Sequence, residues 1–166
     1  VQEVSNILDQ HSDLDLNDEN LYTLHPPLCR AAKKGFYEIC KTLIQYGADV
    51  NCIKDRLFSP LWGASSGNHL EIVKLLIENG ADINAYESST TAALNEAAAK
   101  GHFEIVRYLI EKGADINRLT TTLLFSPLDW SISSGHNEIS LFLKEKGASS
   151  NINHDYVWSE VGGGIS

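Results

Sequence analysis

The sequence contains no methionine, and its three cysteines do not form any of the usual cysteine-based sites. Cys29, Cys40 and Cys52 are odd in number and show no C-x-x-C spacing, so neither a disulfide framework nor a zinc site is expected. Unpaired cysteines fit a reducing compartment, and we therefore expect a cytoplasmic protein. Because methionine is missing even at position 1, we expect the chain to be a processed product or a fragment.

A long hydrophobic run is also missing. No window approaches the roughly 18 apolar residues that a membrane-spanning helix needs. The first ten residues, VQEVSNILDQ, have neither the basic region nor the hydrophobic stretch of a secretion signal. With 43% hydrophobic and 21% charged residues, the composition predicts one folded domain without a membrane partner.

Positive charge is scarce. The net charge is −9, whereas a nucleic-acid-binding protein is expected to carry a basic excess that displaces counterions. The imbalance lies mostly at the start, because residues 1–24 contain six acidic residues and no lysine or arginine. Residues 25–154 are nearly neutral, with 14 acidic and 13 basic residues. We therefore predict no nucleic-acid partner.

The dominant positive feature is a repeat of 33 to 34 residues. Four segments align at this shift: HPPLCRAAKKGFYEICKTLIQYGADVN from residue 25, SPLWGASSGNHLEIVKLLIENGADIN from 59, AALNEAAAKGHFEIVRYLIEKGADIN from 92, and SPLDWSISSGHNEISLFLKEKGASSN from 126. These segments resemble the ankyrin repeat, whose pattern runs T-P-L-H-x-A-A, then G-H-x-E-I-V, then L-L-x-x-G-A-D-V-N. The resemblance covers most of the chain.

The residues of each repeat independently predict two short helices. The Ser-Pro pairs at 59–60 and 126–127 supply an N-cap acceptor and a proline at the first helical position, so an inner helix begins there. The outer helix carries an apolar stripe, as in residues 72–77, that only a neighbouring repeat can cover. The residues predicted to be left-handed where the inner helices end are Gly35, Asn68, Gly101 and Gly135.

We therefore predict an all-α ankyrin-repeat solenoid of stacked helix-turn-helix units with projecting loops or β-hairpins. In the last repeat, Ser140 and Lys144 replace apolar residues of the stripe, which marks the end of the array. The predicted units are an N-terminal capping half-repeat over 1–24, repeats over 25–57, 58–90, 91–124 and 125–153, and a tail over 154–166.

Three patterns that could indicate chemistry do not support a catalytic or metal site. The sequence GASSG at 63–67 matches a hydrolase nucleophile motif, but Ser65 occupies a position that is alanine in other repeats. The sequence DLDLN at 13–17 lacks the glycine and the final glutamate of a calcium loop. His69, His102 and His136 share one position per repeat and are interpreted as structural. We therefore predict no enzyme, no metal and no cofactor.

The resemblance implies a concave binding face built from loop tips and inner helices. Its basic residues favour a protein partner that offers acidic side chains between apolar ones. For Trp62 and Trp130, packing between repeats is favoured over partner contact. The residues predicted to bind the partner are Tyr22, His25, Lys33, Lys34, Arg56, Phe58, Trp62, Lys100, Leu123, Phe125 and Trp130.

The loop tips depart from the family pattern. Where the family usually has glycine, this chain has Leu57, Thr90 and Leu124, and Phe58 and Phe125 follow two of them. Such side chains either pack on the neighbouring loop or serve as apolar anchors for a partner. We predict the anchor role for the two phenylalanines and packing for the two leucines. The loop before the fourth repeat is one residue longer and is predicted to protrude most.

A second departure concerns the histidine of the T-P-L-H pattern. Cys29, Asn95 and Asp129 stand at this position in three of the repeats. Because the family's histidine bonds side chain to backbone between adjacent loops, the replacements predict looser loops at these repeats.

The resulting functional hypothesis is a monomeric, non-enzymatic protein–protein interaction module. One alternative is a cytosolic neutraliser, either an immunity or an inhibitor protein, that binds a basic toxin or enzyme through the acidic residues Asp13, Asp15 and Asp18. Another is the regulatory fragment of a larger protein, which could itself be an enzyme.

Overall fold

The computed structural model describes residues 2–10, 26–52, 59–85, 92–121 and 123–152. This part of the chain forms nine α-helices and no strand, so its connections are loops and the β-hairpin alternative finds no support there. The helices are α1 (Gln2–Gln10), α2 (Pro27–Lys34), α3 (Tyr37–Gln45), α4 (Pro60–Ser66), α5 (Leu70–Glu78), α6 (Ala93–Lys100), α7 (Phe103–Glu111), α8 (Pro127–Ser133) and α9 (Asn137–Glu145).

The helices lie in two rows. The inner helices α2, α4, α6 and α8 pack side by side, and the outer helices α3, α5, α7 and α9 form the second row. Small residues at the inner contacts, such as Ala32, Ala64 and Ala98, are completely buried, which lets neighbouring inner helices approach closely. Helix α1 packs against α3, as an additional outer helix would.

Both Ser-Pro signals begin inner helices as predicted. The Ser59 hydroxyl accepts a hydrogen bond from the backbone N–H of Trp62 at 3.2 Å. The Ser126 hydroxyl accepts one from the backbone N–H of Asp129, and the Asp129 carboxylate accepts one from the Ser126 N–H in return. This reciprocal pair is a capping box, so α8 has the more fully bonded start of the two.

The chain reverses after each inner helix through a left-handed residue, which confirms the prediction at all four positions. The φ angles are 80° at Gly35, 60° at Asn68, 79° at Gly101 and 76° at Gly135. The outer helices that follow bury the predicted apolar stripe, and Val73 and Leu76 of α5 are completely inaccessible. In the last repeat, the stripe is polar at two positions. Lys144 is exposed, whereas Ser140 is buried and its hydroxyl lies 2.8 Å from that of Ser131.

The repeated histidines connect successive repeats. The Nε2 atoms of His69, His102 and His136 lie 3.3, 3.3 and 3.0 Å from backbone carbonyl oxygens of the preceding inner helix. A neutral ring that carries its proton on Nε2 donates a hydrogen bond to that oxygen. The structural interpretation of these histidines is confirmed.

We expect the free energy of unfolding to decrease as the pH falls below about 6.5, in part because of His102. Burial lowers the pKa of His102 from its ordinary value of 6.5, while the hydrogen bond to the Ser66 carbonyl acts in the opposite direction. The unfolded chain therefore binds this proton at a higher pH than the folded protein does, and acidification favours unfolding. Urea denaturation at about pH 7.5 and 5.5 measures the effect.

The matched control for this prediction is His102→Gln, which retains an N–H donor and does not titrate in this range. Its unfolding free energy is expected to depend less on pH than that of the wild type. An identical pH dependence in both proteins would show that His102 does not contribute.

Candidate functional site

Seven of the eleven predicted partner-binding residues lie in the described part of the chain. They are Lys33, Lys34, Trp62, Lys100, Leu123, Phe125 and Trp130. The other four lie outside the described residues, and their roles stay predictions: Tyr22, His25, Arg56 and Phe58. The loop-tip residues Leu57 and Thr90 also lie outside the described residues.

The first inner helix contributes positive charge to the candidate face. Lys33 and Lys34 are exposed in the last turn of α2, where cations also interact favourably with the helix dipole. The Lys33 ammonium lies 5.5 Å from the centre of the Trp62 ring on the neighbouring inner helix. This cation–π contact joins two predicted residues from different repeats, and Trp62 itself is only partly buried.

The third predicted lysine is paired within the protein. The Lys100 ammonium lies 3.5 Å from the carboxylate of Glu96, one turn earlier on α6. The same carboxylate oxygen accepts a hydrogen bond from the Ser66 hydroxyl of the neighbouring inner helix at 2.9 Å. Glu96 therefore offsets the charge of Lys100, and the net basic character of the inner row lies mainly at α2.

The loop between α7 and α8 presents two leucines to solvent. Leu123 is 52% exposed and Leu124 is 55% exposed. The packing role expected for Leu124 is therefore wrong. Leu124 also has a φ of 54°, in the left-handed region that costs an ordinary residue about 1–2 kcal/mol. Its backbone thus adopts the glycine-like conformation of the family's loop tip while it keeps a large side chain.

Hydrogen bonds within the loop hold this conformation. The backbone N–H of Leu124 donates to the carbonyl of Thr120 at 3.0 Å, and the N–H of Thr120 donates to the carbonyl of Phe125 at 2.9 Å. The N–H of Phe125 in turn donates to the Thr120 hydroxyl at 3.1 Å. Thr120 is buried and is the centre of all three bonds. The loop is therefore a closed turn built around one threonine.

Two asparagines tie the same loop to the repeats on either side. Asn95 of the preceding inner helix donates from its side chain to the carbonyl of Phe125 at 3.3 Å and to that of Arg118 at 2.9 Å. Asn151, beyond the last outer helix, donates to the carbonyl of Leu124 at 2.9 Å. The backbone that carries the two leucines is therefore hydrogen-bonded to the repeats on both sides of the loop.

Phe125 does not project as the anchor hypothesis predicts. Its ring is partly buried and packs on Trp130 of α8, with the ring centres 5.2 Å apart and the planes inclined by 60°. This contact is of the stabilising aromatic type and supports the base of the loop. Whether Phe125 touches a partner stays a prediction. We refer to Leu123, Leu124, Phe125 and Trp130 together as the leucine–aromatic patch.

The prediction of looser loops is wrong at Asp129. Its carboxylate is completely buried and accepts hydrogen bonds from the Ser126 hydroxyl at 2.8 Å, the Ser150 hydroxyl at 2.5 Å and the Asn151 N–H at 3.0 Å. Together with the bond from the Ser126 N–H, these contacts connect the start of α8 to the segment after α9. A carboxylate therefore takes over the connecting role expected of histidine.

The asparagine of each G-A-D-x-N sequence also connects the loops. The Asn51 side chain donates to the carbonyl of Gly80 at 3.0 Å and accepts from the N–H of Asp82 at 2.7 Å. Asn84 makes the equivalent pair of bonds with Gly113 and Asp115 one repeat later. The periodic recurrence of asparagine was a visible signal for this connection and includes Asn151 of the fourth repeat, whereas the role of Thr120 carries no such signal.

Within the described ranges, no group of three or more histidine, cysteine, aspartate or glutamate side chains could hold a metal ion. A search of the same ranges for a helix long and apolar enough to cross a membrane finds none. A family model described as ankyrin repeats in three copies matches residues 2–87 and 87–154. A comparison with curated proteins finds no match.

Proposed function

Because the chain belongs to the ankyrin repeat family, we propose that it binds a partner protein mainly through the leucine–aromatic patch. Ankyrin repeats are non-enzymatic interaction scaffolds that typically bind proteins. The partner we propose offers an apolar pocket for Leu123 and Leu124. Acidic side chains on the same partner would complement Lys33 and Lys34, which are exposed at the other end of the inner row.

The observation that carries this proposal is the combination of strain and exposure at Leu124. A leucine with a φ of 54° destabilises the folded state relative to glycine, and a side chain that is 55% exposed recovers little of this cost by burial. Backbone strain of this kind is concentrated at binding sites. Since the surrounding hydrogen bonds already hold the loop, little further ordering is needed when a partner binds.

The proposal predicts that the double substitution Leu123→Ser and Leu124→Gly lowers partner affinity at least about tenfold, because two exposed apolar anchors are removed. Thermal stability should remain unchanged or rise, since glycine relieves the left-handed strain. The measurement is affinity capture from the source lysate with quantitative mass spectrometry, followed by titration of the captured protein against each purified variant.

The matched control is Leu141→Ser on the outer helix α9, where a leucine is 63% exposed but lies away from the patch. This variant should capture the same protein as the wild type. Retention of the partner by the double variant, or its loss through Leu141→Ser, would contradict the placement of the binding surface.

Neutralisation of a basic toxin or enzyme is the alternative function. Among the acidic residues of 1–24, only Glu3 and Asp9 lie in the described part, and Asp9 accepts a hydrogen bond from the hydroxyl of Tyr46. One of the two thus has a structural role in joining α1 to α3. Charge reversal at Asp13, Asp15 and Asp18 together would abolish inhibition if this alternative holds.

We further propose that the protein acts as a monomer in a reducing compartment such as the cytoplasm. The cysteines support the second part of this proposal, because they are odd in number and do not show the spacing of a disulfide framework.

A further inference from the structure

The fold brings together two cysteines that are 23 positions apart in the chain. The Sγ atoms of Cys29 and Cys52 are separated by 3.6 Å, and Cys29 Sγ lies 3.8 Å from the carbonyl oxygen of Cys52. Cys29 is completely buried on α2, whereas Cys52 is partly exposed at the start of the loop that leads to α4. One cysteine of the pair is therefore partly exposed to solvent, and the sulfur of the completely buried one lies against it.

We propose that Cys29 and Cys52 form an oxidative modification site, in which a hydroperoxide converts the thiol pair into a disulfide. The bond would connect α2 to the segment that enters residues 53–58. A disulfide requires the sulfurs to approach to about 2.05 Å, which is a displacement of roughly 1.5 Å from their present contact. The inference does not depend on the proposed partner surface.

Exposure determines the order of the steps. The Cys52 thiolate attacks one oxygen of the hydroperoxide, the O–O bond breaks, and Cys52 becomes a sulfenic acid while the other oxygen leaves as water or an alcohol. The Cys29 sulfur then attacks the Cys52 sulfur, the S–O bond breaks, and the hydroxyl leaves as water. The two thiol protons end in these leaving groups. With hydrogen peroxide, two thiols and one peroxide give one disulfide and two waters.

Cys40 serves as an internal comparison within the same repeat. It is completely buried in α3, and burial raises its pKa to about 11, so little thiolate is present near neutral pH. A thiol that is both inaccessible and protonated reacts slowly with peroxide. The reaction should therefore select Cys29 and Cys52 and leave Cys40 reduced.

The test treats the folded wild-type chain with hydrogen peroxide and maps the products by mass spectrometry without reduction. The wild type should lose the mass of two hydrogen atoms and yield one peptide pair linked through Cys29 and Cys52. Cys40→Ala should behave identically. Dithiothreitol should restore both thiols in either protein.

Two further variants separate the steps. Cys52→Ser should abolish the loss of two hydrogens. In Cys29→Ala the sulfenic acid at Cys52 has no resolving thiol, so a 1,3-dione reagent should trap it in larger yield than in the wild type. Circular dichroism establishes that each variant is folded. If Cys29→Ala does not fold, the linked peptide of the wild type and its absence from Cys52→Ser still decide the question.

Several outcomes would overturn the proposal. They are a disulfide that includes Cys40, a disulfide between two chains in place of the internal one, or a wild-type protein in which Cys52 accumulates as sulfenic or sulfinic acid while Cys29 remains a free thiol. Failure of both Cys29 and Cys52 to react under conditions that oxidise glutathione would overturn it as well.

Discussion

Substitution of Asp129 by alanine is expected to lower the free energy of unfolding by about 3 kcal/mol, because four hydrogen bonds, two of them from the buried Ser126, lose their charged acceptor. The Asp129 carboxylate accepts hydrogen bonds from the backbone and hydroxyl of Ser126, the hydroxyl of Ser150 and the backbone of Asn151. Its removal also breaks the capping box of α8. Urea denaturation measures the loss, and the thermal midpoint should fall by roughly 10 °C.

The charge of Asp129 also makes the free energy of unfolding depend on pH. Burial, the largest contribution, acts to raise its pKa, but the combined hydrogen bonds from Ser150, Ser126 and Asn151 hold the pKa below its ordinary value of 3.8. The folded state therefore binds this proton less readily than the unfolded chain does. This part of the stability is present above pH 3.8 and is lost as the pH falls through the lower pKa of the folded state.

Asp129→Asn is the control, since it keeps the size of the side chain but replaces one acceptor oxygen with a donor. We expect a smaller loss than for alanine and no contribution to the acid-induced decrease in stability. A loss below about 1 kcal/mol for the alanine variant would mean that the loop reorganises around the missing carboxylate and that the contact does not fasten the fourth repeat.

Gly101→Ala is expected to cost about 3 kcal/mol, the second large effect, from two separable causes. Gly101 has a φ of 79°, which an alanine adopts only with strain. A Cβ at this position would also lie 2.6 Å from Cε1 of His136, so the ring must move. That movement disrupts the contact between His136 Nε2 and the carbonyl of Ala99, which joins two repeats.

Gly113→Ala separates the two causes. Gly113 has a φ of 93°, but a Cβ there meets nothing within 4 Å. Gly113→Ala should therefore lower the free energy of unfolding only through backbone strain, by about 1 kcal/mol. Urea denaturation measures the loss of unfolding free energy in Gly101→Ala and in Gly113→Ala. The larger loss in Gly101→Ala gives the contribution from displacing His136. Equal losses would show that the histidine contact between repeats contributes nothing to stability.

Much of the architecture could be predicted because the signals for each helix lie within a few residues of it. Ser59 and Ser126 cap helices that begin at the next residue, and Gly35 and Gly101 reverse the chain directly after the helices that they end. An outer stripe such as residues 72–77 cannot be satisfied within one repeat, so stacking followed from composition and period. These predictions needed no knowledge of distant contacts.

The candidate surface was predicted only in part. Leu123 and Leu124 are both exposed, although packing was predicted for Leu124, and Phe125 packs on Trp130, while the predicted partner contacts of Leu123 and Phe125 stay predictions. Which of two adjacent apolar side chains turns outward depends on the sign of one φ angle. The Leu124 backbone is held in this conformation by the hydrogen bond that its N–H donates to the Thr120 carbonyl and by the bond that its own carbonyl accepts from the Asn151 side chain.

The sequence by itself determined the repeat, the family and the starts or ends of those helices that carry a Ser-Pro pair or a turn residue, because local capping, turn residues and apolar periodicity act over one or two turns of chain. Only the tertiary structure decided how the loops are fastened. Asn151 reaches Leu124 across 27 positions, and Cys29 meets Cys52 across 23. The period of the repeat places an asparagine at position 151, but it does not specify that this side chain bonds to Leu124 or that the two cysteines meet, because these contacts form between different loops and helices.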